Sequence, residues 1–220
     1  MASVRGMDEA LVYELEHTVE ARLTLHCVRV AVDARAIRFL DRNLRGAEGP
    51  AGRTAEERIA QLHHATAALR ELREVWLAAG LALQVGLRVA QARKELTAWL
   101  EAGQAGGKPG GGGAGQAVIA TLVTAAPAEL FTPAPSISVE HVRLVLEALG
   151  NLQAAQLVGF ATVVGGLPGV DLDDLPQAFR EPPLLREEEA MPDMVFCPQC
   201  ATPYPSVHES CPTCGLRLAA

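Results

Sequence analysis

Four of the five cysteines stand in two short pairs, Cys197-Pro-Gln-Cys200 and Cys211-Pro-Thr-Cys214, ten residues apart. A Cys-Pro-x-Cys turn places both thiolates of a pair on one side of a tight backbone hairpin. Two such turns facing each other supply the four-sulfur tetrahedral shell that Zn²⁺ prefers. The spacing therefore predicts one structural Zn²⁺ held by Cys197, Cys200, Cys211 and Cys214, and a small β-knuckle module around it. His208 lies between the pairs, but with four thiolates at hand it is expected as an exposed loop residue.

The run from Cys197 through Tyr204 and His208 to Cys214-Gly-Leu-Arg-Leu218 resembles the short zinc-ribbon domain appended to many bacterial and archaeal proteins. The resemblance covers about the last tenth of the sequence. It implies zinc ligation by the four cysteines and a structural or docking role, with no catalytic or substrate-binding residue to carry over. In that family Gly usually follows the first pair, whereas Ala201 stands here, so the first knuckle must turn without the residue that best tolerates positive φ.

The same cysteines admit two other readings. A rubredoxin-like iron site uses the same knuckles, and terminal rubredoxin modules occur in rubrerythrin-type enzymes; only Phe196 and Tyr204 supply aromatic cover nearby. Disulfides suit a secreted chain, yet Met-Ala-Ser-Val-Arg-Gly-Met-Asp at the start is not an apolar signal segment. That points to a reducing cytoplasm and free thiols.

Ala and Leu dominate and aromatic residues make up only 4%, which favours closely packed helices over a sandwich or barrel. From Asp8 to Leu44 there is neither proline nor glycine, and Val12, Leu15, Val19, Leu23, Cys27, Val30, Ala34 and Ile37 recur at steps of three and four. This predicts one long amphipathic helix. Thr54-Ala-Glu-Glu57 is a capping-box signature for a second. Its apolar side runs through Ile59, Leu62, Leu69 and Trp76 and past Gly80 and Gly86 to Leu100. The expected fold class is mainly α: a long antiparallel helical hairpin or bundle with a small C-terminal zinc ribbon. The domains expected are a hairpin over 1–102, a Gly-rich linker over 103–115, a helical segment packed on the hairpin over 116–170, an acidic Pro-rich tether over 171–194, and the ribbon over 195–220.

Within 116–170, Ala117 to Ala125 is ambiguous between strand and buried helix, and Ser138 opens a helix running toward Val164. Ala148 to Val170 lacks charged residues. Its glutamines, glycines and acidic flanks argue for a buried core helix rather than a membrane span.

Other features weigh on function. Glu14-x-x-His17 is half of a di-iron motif, without a second Glu-x-x-His in the chain. Arg35, Arg38, Arg42 and Arg45 share a predicted helical face. Interleaved Asp33 and Asp41 and a net charge of −7 make that face a solvated one rather than a nucleic-acid surface. Cys27 sits in the apolar stripe as a small buried hydrophobe. The expectation is a cytoplasmic, non-enzymatic binding or scaffold protein that self-associates or docks a protein partner. The alternatives are a rubrerythrin-like di-iron electron-transfer enzyme and a nucleic-acid or transcription-complex binder.

Overall fold

The computed structural model describes residues 22–44, 54–104, 117–132, 138–166 and 194–217. Strand β1, Leu23–Asp33, lies at the centre of a four-stranded antiparallel sheet. It pairs on one side with β2, Trp76–Leu87, and on the other with β3, Ala117–Ala126; β4, Gly159–Gly166, lies outside β3. Between β1 and β2 the chain forms a 3₁₀ turn at Ala34–Ala36, helix α1 (Ile37–Leu44) and helix α2 (Ala55–Glu71). Helix α3, Val89–Gln104, links β2 to β3, and α4, Val139–Gly150, precedes β4.

Helices pack on both faces of this sheet and bury nearly all of β1 and β3, while the far half of β2 is partly exposed. β2 and β3 each run antiparallel to β1 and so parallel to one another, which forces the connection between them across a sheet face. That connection is α3, resting on β1, β3 and β4. Leu23, Leu25 and Cys27 of β1 point to it, together with Val123, Ala125, Leu96 and Leu100. The intervening residues Val28, Val30 and Val32 point the other way, into a larger cluster with Phe39, Leu40, Leu62, Leu69, Val142, Leu146 and Leu149 of α1, α2 and α4.

The structure overturns the mainly α reading: this is an α+β fold, and no long helical hairpin is present among the described residues. Of the helix expected over Asp8–Leu44, Leu23–Asp33 is a strand and only Ile37–Leu44 is α-helical; Asp8 to Ala21 lie outside the described residues. The helix expected from Thr54 to Leu100 divides into α2, β2 and α3. The physical reason is the double cover. A strand buried on both faces loses its alternation, and in a run where seven of eleven residues are apolar, steps of three and four also land on apolar residues. In β2 the Ala and Leu residues favour helix in isolation, but pairing along β1 from Val32 to Leu23 outweighs that small preference. Gly86, at φ 70°, forms with Val85 a bulge opposite Thr24.

The helix opened by Ser138 ends at Gly150, and the expected core helix over Ala148–Val170 is replaced by a 3₁₀ turn and β4. The ambiguous Ala117–Ala125 is strand. Local caps stand where the residues place them. Thr54 accepts from the Glu57 amide at 3.2 Å while Glu57 accepts from the Thr54 amide at 3.0 Å, and Ser138 accepts from His141 at 3.1 Å. Among the described residues no helix is long and apolar enough to cross a membrane.

Candidate metal centre

The first knuckle follows β5, Met194–Phe196, which pairs antiparallel with β6, Pro203–Pro205. The two knuckles repeat one backbone pattern. The amide of Ala201 donates to the carbonyl of Cys197 at 2.8 Å and that of Gly215 to the carbonyl of Cys211 at 2.9 Å. Each leading cysteine in turn donates onward, Cys197 to Thr202 at 3.0 Å and Cys211 to Leu216 at 2.9 Å. Closing each turn requires a left-handed residue after the second cysteine; Ala201 has φ 58° and Gly215 φ 73°. The departure from Gly noted at position 201 is thus a real left-handed alanine.

This backbone brings the four predicted ligands together. The sulfurs of Cys197, Cys200, Cys211 and Cys214 all lie within 4.8 Å of one another. The closest approaches run between knuckles, Cys197 to Cys214 at 3.5 Å and Cys200 to Cys211 at 3.4 Å. All four are free thiols. Sulfur separations in this range match the edge of a tetrahedron with metal–sulfur bonds of about 2.3 Å, which is about 3.8 Å. The four cysteines thus cluster within metal-binding distance, an arrangement that fits a zinc-ribbon-like site.

The clustered thiols perturb one another. Burial pushes the Cys200 thiol up, but contacts with Thr202, whose Oγ1 is 3.3 Å away, and with Cys211 and Cys197 outweigh it and bring it down to about 6. Cys214 is pushed the other way: the Leu216 amide favours its thiolate, yet burial and the three neighbouring sulfurs raise it to about 12. A dication at the centre would favour the thiolate form of its ligands. The Tyr204 hydroxyl, buried beside the cluster, is likewise raised by burial and by the four nearby sulfurs.

The fifth cysteine stays apart. Cys27 lies under α3, where burial pushes it up to about 11 against the lowering influence of Arg29. It is the inert buried thiol expected from its place in the sequence. His208 lies exposed in a backbone turn, its amide donating to the Pro205 carbonyl. Glu14 and His17 lie outside the described residues, as does Arg45.

Two residues with a larger part in the site than their sequence context suggested are Arg35 and Arg42. Arg42 donates to the carbonyls of Cys200 at 3.0 Å and Gln199 at 3.4 Å, both in the first knuckle. Arg35 stacks over Phe196 at 5.0 Å from the ring centroid, reaches the Met194 carbonyl at 3.5 Å, and is itself oriented by Asp33 at 2.8 Å. Met194 and Ala201 are buried in the same cluster as Ala34 and Phe39. The ribbon is therefore seated on α1 and the turn before it. The signal available in the sequence was the seven-residue, two-turn spacing of Arg35 and Arg42, read there as a solvated face.

No family model matches this chain, and neither comparison with curated proteins nor comparison with solved structures finds a match.

Proposed function

We propose that the four cysteines bind one Zn²⁺ per chain as a structural centre, and that the protein acts without catalysis, as a binding or scaffold protein for a protein partner or a second copy of itself. The observation that supports this most is the closed sulfur cage. With four thiolates within 4.8 Å of one another, every tetrahedral position is filled by the chain, and no position is open to water or substrate. Zinc suits such a site as an ion without redox chemistry, and its binding supplies folding energy to a module with a small core.

The rubrerythrin-type alternative needs a helical bundle that converges carboxylates on two irons. Among the described residues the helices lie on two faces of a sheet rather than in such a bundle. The nucleic-acid reading leaned on the arginine face, and two of its members serve the ribbon instead.

Elemental analysis of the chain expressed with both metals supplied tests the proposal. One zinc per chain and a spectrum without visible absorption support it; iron with the absorption of iron–thiolate bonds replaces it with an electron-transfer centre. Light scattering over micromolar concentrations separates the two kinds of partner. A mass above the monomer supports self-association, and a monomer leaves a separate protein.

A further inference from the structure

The contacts between the first knuckle and α1 are made by the part of the ribbon whose shape the metal fixes. Gln199 and Cys200 lie between or at the first pair of sulfurs, and their two carbonyls are the ones that accept from Arg42. Those carbonyls point at α1 only while Ala201 holds its left-handed turn, a conformation that an alanine leaves when nothing enforces it. The ribbon's own buried cluster centres on Cys197, Tyr204 and Cys211, which is too small a core to enforce it alone.

We infer that the ribbon is a metal-gated latch on the α1 face: loading the four cysteines and seating the first knuckle on Arg35, Arg42 and the Ala34–Phe39 surface are coupled, so that metal loss uncovers α1. This rests on the metal-binding reading above. Coupling is reciprocal. Docking must strengthen metal binding by the factor by which metal strengthens docking, which makes Arg42 a positioning residue that acts on the metal site through the Gln199 and Cys200 carbonyls rather than through a sulfur. The face uncovered in the metal-free chain combines Arg35 and Arg42 with the apolar surface that Met194 and Ala201 cover.

The test uses the full chain, loaded with zinc and then stripped by a chelator, with metal content measured beside amide hydrogen exchange. Stripping is expected to speed exchange over 194–205 and also over 34–44, by about tenfold or more, while the centre of β1 and α3 stay protected. In competition against a chromophoric chelator, Arg42→Ala is expected to bind zinc about tenfold more weakly, and Arg38→Ala as the parent does. Faster exchange confined to 194–217, or unchanged zinc affinity in Arg42→Ala, overturns the latch while leaving the metal site intact. A chain that takes up no zinc at all overturns the underlying reading, and the latch with it.

Discussion

Ala201 and Gly215 hold the same place in the two knuckles, one residue after the second cysteine, and both adopt a left-handed backbone, at φ 58° and 73°. Their surroundings differ. A Cβ on Gly215 would meet nothing within 4 Å, whereas Ala201 is buried in the cluster that includes Phe39 and Met194. The alanine methyl therefore joins ribbon to body, and its burial, at about 0.8 kcal/mol, offsets part of the left-handed cost. Gly215→Ala adds that cost of about 1–2 kcal/mol with no contact to offset it, so zinc affinity is expected to fall about tenfold. Ala201→Gly relieves strain but loses the methyl and gains backbone freedom when unfolded, and is expected to stay within about 1 kcal/mol of the parent. Zinc competition and thermal melts of both variants check the asymmetry.

Gly150, the last residue of α4, lies against α2. A Cβ there would come within 2.9 Å of the Thr66 hydroxyl oxygen, which is itself tied to the His63 carbonyl at 3.0 Å. Ala is the better helix former, so propensity alone predicts a gain of about 1 kcal/mol. Crowding against a fixed neighbour costs about 1–3 kcal/mol, and the expected outcome of Gly150→Ala is a net loss of stability, read as a lower midpoint in urea. A raised midpoint would show that α2 and α4 have room to part.

His26 gives the fold a pH dependence. Its Nε2 accepts the Leu130 amide at 3.1 Å and its ring lies 5.5 Å from that of Phe131. Burial lowers its pKa to about 4, against a smaller raising effect of the Thr124 backbone. The unfolded chain takes up this proton near 6.5 and the folded chain only near 4. The unfolded state thus binds more protons in that window, and stability falls as pH drops through it. The loss levels off below about pH 4, at roughly 3 kcal/mol. Denaturant midpoints between pH 7 and 4 are expected to fall in the parent and to fall less in His26→Gln.

Signals that act over a few residues could be read directly. Thr54 and Ser138 cap the helices they precede, because a cap depends only on a side-chain oxygen and the next three amides. The knuckle cysteines meet because their spacing closes two local turns. The strands were hidden for the opposite reason: whether Leu25 and Val28 belong to a helix stripe or to two faces of a sheet depends on α3 and Phe39, which lie far along the chain or beyond a turn. Ala and Leu in β2 and the uncharged residues of β4 carry no local preference strong enough to correct the misreading. Arg42 was visible as a cation on a helix, but its acceptors at Gln199 and Cys200 lie more than 150 residues away.

The capping box at Thr54 offers a further check on that local reading. Thr54→Ala removes the acceptor for the Glu57 amide, and the expected cost is about 1 kcal/mol, measured by chemical denaturation. A variant as stable as the parent would mean that tertiary packing of Leu62 and Leu69 alone fixes the start of α2.

The most direct test of the metal centre is native mass spectrometry of the full chain across five single substitutions, each cysteine replaced in turn by serine. The four knuckle sulfurs form one cluster, and Cys27 is buried under α3 outside it. One zinc ion per chain is expected in the parent and in Cys27→Ser, with zinc lost or greatly weakened in Cys197→Ser, Cys200→Ser, Cys211→Ser and Cys214→Ser. Zinc retained at parental affinity in any of those four, or lost in Cys27→Ser alone, would contradict the account.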